Sequence, residues 1–197
     1  MLVLASRSPR RQALLRAAGI PFRVAAPRAE EPAVGRLRGS FAALVKRRAL
    51  AKAKSASARA GEVVLGADTV VVCEGEALGK PADAAEARRM LGKLSGKWHR
   101  VYTGVALLSE DRRLVGCART EVAFRRLAKT EIEWYVGTGE PMDKAGAYAI
   151  QGKGAGFVRA VRGCYTNVIG LPLPTLLEML AGLGQRVGSR LAGRGRL

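Results

Sequence analysis

Apolar and polar positions alternate between two periods along this chain, and the switches between them mark its elements. Leu2–Ala5 is a short unbroken apolar run, the pattern of a buried strand. Ser8-Pro9 then opens a helix, with Ser at the N-cap, Pro at the first helical position and Leu14, Leu15 and Ala18 on one face; Gly19 closes it and Pro21 prevents its continuation. Phe41, Leu44, Val45 and Ala49 predict a second helix, capped by Ser40 and running to about Ala58, with a heavily basic opposite face. Glu62–Cys73 is almost continuously apolar and predicts a strand region interrupted at Gly66-Ala67-Asp68, which Glu74-Gly75-Glu76 turns back toward Leu78. Asp83 caps a helix to about Leu94. Lys97–Leu108 and Arg113–Leu127 alternate on either side of Ser109-Glu110-Asp111 and predict a long hairpin. Thr130-Glu131-Ile132-Glu133 has the form of a capping box starting another helix. Gly-rich strands and turns are expected from Asp143 to Val168, then a helix near Pro174–Leu183. Helices and strands mix without regular βαβ alternation, which predicts a mixed α/β fold, a long bent sheet with helices around it. The expected organisation is one domain over residues 1–183, with a Pro-, Gly- and Arg-rich loop at 27–39 and a basic Gly/Arg tail at 184–197.

Charge changes this picture more than composition does. The 197 residues carry a formal net charge of +18, unevenly placed: residues 1–60 hold fourteen Lys/Arg against two Glu, while residues 61–150 hold thirteen of each sign. That asymmetry points to an anionic partner for the N-terminal part, a polyphosphate or a nucleic acid, or to arginines on solvated faces. With 48% hydrophobic residues and no apolar run near membrane-span length, the composition is that of a soluble globular domain. Met1–Ala5 is too short for the centre of a signal peptide, and a cytoplasmic location is expected. Cys73, Cys117 and Cys164 are far apart and form no CxxC pair, so buried free thiols are expected rather than disulfides or a zinc site. With His99 the single histidine, triads built on histidine and multi-histidine metal sites are excluded, and His99 is expected to be a structural or surface residue.

Three constellations carry candidate chemistry. In Ser6-Arg7-Ser8-Pro9-Arg10-Arg11 a strand runs into a loop and a helix N-terminus, where free backbone N–H groups attract anions. Arg10 and Arg11 stand against the helix dipole there, a conflict that a bound phosphate would remove; the alternative is a capped helix with surface arginines. Asp68 is a carboxylate within an apolar strand, costly to bury unless paired or bound to a metal, and Gly66 and Ala67 are expected to leave room beside it for a ligand. Its alternative is a structural Asp at a strand end. Lys80, between Gly79 and Pro81, is a candidate phosphate contact. The third, Asp143–Gly154, brings small residues that let backbone approach a ligand, and Gln151, which can both donate to and accept from a base edge.

Taken in order, Ser6-Arg7-Ser8-Pro9-Arg10-Arg11, Gly66-Ala67-Asp68-Thr69-Val70-Val71, Gly79-Lys80-Pro81, Lys144-Ala145-Gly146 with Gln151-Gly152, and Gly170-Leu171-Pro172 make the chain strongly resemble the Maf family of nucleoside triphosphate pyrophosphatases, over about residues 2–183. The resemblance implies an architecture like that of the inosine triphosphate pyrophosphatases, with two lobes and a central cleft, a divalent cation (Mg²⁺ or Mn²⁺) and a homodimer. It implies that Asp68 is the proton acceptor, that Ser8, Arg10, Arg11 and Lys80 handle phosphate together with a lysine of the second helix, either Lys52 or Lys54 with Lys52 matching better, and that Asp68 and Glu31 hold the metal. Arg10, Thr69 and Gln151 match the subgroup acting on dTTP and UTP; members acting on 7-methyl-GTP have an aromatic, Gln and Glu at these positions. The expected reaction is metal-assisted attack of water on the α-phosphate, releasing the monophosphate and pyrophosphate, with modified pyrimidine nucleotides as further candidate substrates. The competing readings are a 7-methyl-GTP pyrophosphatase of the same family and a basic nucleic-acid or cell-division binding protein. Against the latter, aromatics are 5% of residues and are not interleaved with the basic run.

Overall fold

The Glu62–Cys73 run folds as one uninterrupted strand, β3 (Val63–Cys73), and the rest of the molecule is arranged about it. The computed structural model describes residues 1–26 and 40–184. The expected break at Gly66-Ala67-Asp68 is absent: these three residues stay in the ladder, paired with Ala106, Val105 and Gly104 of β5 (Trp98–Leu108). β5 returns as β6 (Arg113–Phe124), the expected hairpin, and β6 pairs with β7 (Val158–Arg162). On the other side, β1 (Leu2–Leu4) lies parallel to β3 and to β2 (Phe22–Val24). The order is β2-β1-β3-β5-β6-β7, with β4 (Glu76–Leu78) pairing antiparallel to the end of β3, seven strands among the described residues.

This topology makes a gap. β5 accompanies β3 from Val64 to Val72, but on the opposite edge β1 covers Val63–Leu65 and β4 covers Val71–Cys73. Residues 66–70 therefore have a partner strand on one side only. The chain leaving β1 crosses this gap and enters α1 (Pro9–Ala17), whose N-cap Ser8 accepts from the Arg11 N–H as expected.

Period-two alternation gives β3 two unlike faces. Leu65 and Ala67 join an apolar cluster with Leu15 of α1 and Leu176 and Leu180 of α6 (Leu173–Gly182). Val71 and Cys73, on the same face, join another with Leu91 of α3 (Ala84–Leu94) and Tyr135 of α4 (Lys129–Gly137). Thr69 falls between them, opposite Thr103 of β5. Two cores on one sheet face, divided by a polar seam, are the two lobes. Asn167 of α5 (Tyr165–Ile169) closes the seam, donating to Val101 O (3.0 Å) and to Thr120 Oγ1 (2.9 Å).

The other face of β3 carries α2 (Phe41–Ser55). Its contact explains Gly66: a Cβ there would lie 2.1 Å from Ala49 O and 2.8 Å from Ala53 N. Gly104 repeats the arrangement, with a Cβ position 2.2 Å from Val45 O. Gly66 thus makes room for helix backbone and not, as expected from the sequence, for a ligand.

Other boundaries also differ. α2 stops at Ser55, short of Ala58, and the Ser40 side chain makes no cap bond. α4 starts at Lys129, and Glu131 accepts from the Ala128 N–H (2.9 Å), so its N-terminus lies upstream of the Thr130 expected to open it. The Asp143–Val168 stretch contains short 3-10 turns followed by β7 and α5. The cysteines are free, but only Cys73 is fully buried. No helix among the described residues is long and apolar enough to cross a membrane.

His99 proves structural. Its ring is 2% exposed, Nε2 lies 2.8 Å from the Tyr148 hydroxyl, and Phe124 and Tyr148 meet it edge-on. Burial pulls its pKa from 6.5 to about 4. The unfolded chain therefore binds a proton that the fold refuses, so stability is full above about pH 6.5 and falls as pH drops toward about 4. The loss approaches about 3 kcal/mol at ~1.4 kcal/mol per pKa unit. Glu62 and Glu131, held at about 2 by hydrogen bonds from Arg23 and Arg125, lose their contributions only as pH falls from about 4.5 toward 2, below most of this window. Thermal unfolding of wild type and His99→Gln between pH 7 and 4.5 checks this: the wild-type midpoint should fall with pH and the variant's should stay nearly level.

Candidate active site

A cavity of about 420 Å³ opens at the gap in the β3 edge. That size is ordinary for a small-molecule site. The β1–α1 loop, β3, the end of β4 and residues 143–151 converge on it, and Ser8, Arg10, Arg11, Asp68, Thr69 and Gln151 all line it, with Lys52 and Lys80. Residues far apart in the chain thus meet in one cleft between the two lobes. Glu31 lies outside the described residues.

Asp68 projects from β3 toward α2 and is 2% exposed. Its Oδ1 accepts from Lys52 Nζ at 2.6 Å; Oδ2 stands 3.8 Å from Arg48 Nη1 and has no hydrogen-bond partner among the described residues. The close seating of α2 over Gly66 and Gly104 creates this pair. Of the two candidate lysines, Lys52 is buried against Asp68, whereas Lys54 is exposed. Arg48 was not singled out from the sequence, although its i,i+4 spacing from Lys52 puts both on one helix face.

Arg11 is no surface arginine. Its Nε donates to Gly170 O (2.8 Å), Nη1 to Ser6 Oγ (3.1 Å) and Nη2 to Thr69 Oγ1 (3.2 Å), tying α1, β3 and the end of α5 together at the cavity wall. The proton on Thr69 can be placed from its neighbours. Thr103 Oγ1 donates to Asn167 O (3.1 Å), so in the 2.9 Å contact between the two threonines Thr69 is the donor. With that proton committed, Thr69 offers a ligand only an acceptor lone pair.

Across the mouth, Arg10 Nη1 donates to Asp143 Oδ2 (2.9 Å), and Lys144 Nζ donates to Asp143 Oδ1 (2.5 Å). These bonds lower the Asp143 pKa even though burial, the largest influence, opposes them. Asp143 and Lys144 were legible as part of a motif but not as site residues. Lys80 is exposed at the rim, and Gly79 O accepts from Gly146 N (2.9 Å), seating the β4 end against the 145–147 turn. Gln151 is exposed and also lines the cavity. Cations outnumber carboxylates in the lining, the balance a polyanion requires.

A solved structure described as the Staphylococcus aureus Ham1 protein superposes with a TM-score of 0.51 at 14% identity, covering 92% of this chain and 98% of that one, and shows a shared fold. Curated relatives include proteins of Symbiobacterium thermophilum, 54% identical over 98% of both chains, and of Moorella thermoacetica, 51% identical over 96% of this chain and 98% of the relative; each is named dTTP/UTP pyrophosphatase. The family model described as Maf-like protein matches residues 1–183, and the chain belongs to that family.

Proposed function

We propose that this protein hydrolyses dTTP and UTP to the monophosphate and pyrophosphate. The observation that carries the reading is the buried Asp68 carboxylate on the wall of a cleft otherwise rich in cations; the names of relatives about half identical to this chain supply the substrates.

Asp68 Oδ2, buried and without a hydrogen-bond partner among the described residues, fits a divalent cation, and Glu31 is the second proposed ligand. Such a site suits Mg²⁺ or Mn²⁺, since Mg²⁺ is commonly held by one or two carboxylates with substrate phosphates and water. When bound, the cation supplies charge neutralisation on the triphosphate.

The protein's own groups do the rest. Arg10, Arg11 and Lys80, with the Ser8 end of α1, hold the phosphate chain and present the α-phosphorus to Asp68. Lys52 fixes the carboxylate through Oδ1, which leaves Oδ2 to accept the reacting water's proton. Asp68 takes that proton as the water oxygen bonds to the α-phosphorus and the bond to the bridging oxygen breaks. Pyrophosphate leaves with its charge held by the arginines and Lys80. At the other end, Gln151 donates to a pyrimidine carbonyl and accepts from N3–H, and Thr69 presents only an acceptor. A cationic base such as 7-methylguanine is disfavoured in a lining where cations outnumber carboxylates.

Pyrophosphate release from dTTP, UTP, CTP and 7-methyl-GTP under one metal condition tests this directly. dTTP and UTP should exceed the other two in kcat/KM by about tenfold or more, the scale of one mismatched polar contact. Preference for 7-methyl-GTP would overturn the pyrimidine reading, and no release from any nucleotide would overturn the hydrolase itself.

A further inference from the structure

Glu140 lies outside the cavity lining, yet its carboxylate organises the loop that carries Gln151. Oε1 accepts from the Tyr135 hydroxyl (2.9 Å) and from the Gly154 N–H (3.2 Å), and Oε2 accepts from the Lys153 N–H (3.2 Å). The Tyr135 hydroxyl in turn accepts from the Ala149 N–H (3.1 Å). The backbone on both sides of Gln151, at Ala149 and at Lys153-Gly154, thus ends on one Tyr135–Glu140 pair. The loop lies directly against that pair. Gly152 has φ +72°, and a Cβ there would stand 3.0 Å from Glu140 Oε2; one at Gly154 would stand 2.7 Å from the Tyr135 hydroxyl. Tyr135 is fully buried and cannot move aside without opening its core. Burial alone would raise the Glu140 pKa, but the bonds from Tyr135, Gly154 and Lys153 outweigh it and keep the group ionised.

Gln151 itself is exposed, and packing does little to hold it. A long amide side chain reads a base edge only as well as its backbone is placed, because misplacement by about 1 Å forfeits most of a hydrogen bond's directionality. We propose that Glu140 is a positioning residue that sets pyrimidine specificity: with Tyr135 it clamps the 149–154 loop so that Gln151 meets the base in one geometry. This rests on the reading of the cleft as a pyrimidine nucleoside triphosphate site.

The test uses Glu140→Gln and, because that variant removes a charge, Tyr135→Phe, which deletes only the hydroxyl. In Glu140→Gln an amide NH₂ must face at least one backbone N–H that now meets a carboxylate oxygen. Three readouts separate clamping from general damage: the UTP:CTP ratio of kcat/KM, kcat for UTP, and the inhibition constant of inorganic triphosphate, which engages the phosphate end alone. Both variants should lower the ratio by about tenfold, chiefly through KM for UTP, with kcat changed by less than about threefold and triphosphate inhibition unchanged. In a Gln151→Ala background, Glu140→Gln should lower the ratio no further, because the two residues act through one contact. An unchanged ratio in both single variants overturns the proposal. So does a loss in which kcat, KM and triphosphate inhibition all shift together with the unfolding temperature. Wild-type enzyme that releases no pyrophosphate from UTP would remove the underlying reading before any variant is compared.

Discussion

Replacing Asp68 by Asn should lower kcat by about 10²–10⁴-fold, the usual contribution of a positioned general base, while the protein still folds and binds nucleotide. The side chain is 2% exposed, with Oδ1 on Lys52 Nζ at 2.6 Å and Oδ2 unpartnered among the described residues. Asn keeps the shape, and its oxygen can still accept from Lys52. Its amide nitrogen then occupies the Oδ2 position, where it can neither take a proton from water nor ligate a cation. Nucleotide affinity should change far less, because in the proposed reading the phosphates are held by Arg10, Arg11 and Lys80, which line the same cavity and are left unaltered. Turnover, titrated nucleotide binding and circular dichroism of the purified variant check the three parts separately. A variant retaining a tenth of wild-type kcat would exclude Asp68 as the base.

Gly66→Ala should be the most damaging of the conservative substitutions to stability. The added Cβ would stand 2.1 Å from Ala49 O and 2.8 Å from Ala53 N, both of them helix backbone that cannot rotate away. α2 must lift from the sheet or β3 must bend, a change of about 3 kcal/mol or more given that ordinary overpacking costs ~1–3. For a chain of this size that corresponds to a fall in Tm of roughly 6–12 °C. The displaced helix carries Lys52 and Arg48, so activity measured well below the new Tm should also fall, through loss of the 2.6 Å bond to Asp68. Gly92→Ala is the control: Gly92 is an exposed position within α3 with nothing within 4 Å of its Cβ site. That change should raise Tm slightly, since Ala is favoured over Gly in a helix by roughly 0.5–1 kcal/mol. Equal effects of the two substitutions would show that α2 does not seat on Gly66 as described.

What could be read from the sequence is what local rules decide. The Ser8-Pro9 start of α1, the Asp83 cap of α3, whose carboxylate accepts from the Glu86 N–H at 2.7 Å, and the β5–β6 hairpin all depend on residues near one another in the chain. β2 and β4 escaped because three residues show no period and, unlike β1, theirs are not an unbroken apolar run. The catalytic candidates were legible because a carboxylate in an apolar strand and arginines at a helix N-terminus are anomalies that local structure leaves unexplained. Their partners were not. Gly66 reads the same whether a ligand or a helix approaches it, and only the seating of α2 across the sheet shows that it admits helix backbone. Lys52 matches the family lysine better than Lys54, but the register stays open in the sequence; in the structure the direction of one helix face buries Lys52 on Asp68 and leaves Lys54 in water. For Arg11 the sequence leaves a phosphate contact and surface charge both open; in the structure Ser6, Thr69 and Gly170 gather around its guanidinium from three separate segments. Local sequence thus determined which residues are chemically unusual, and tertiary structure decided which of them meet, because hydrogen bonds and ion pairs depend on distances that chain separation does not encode.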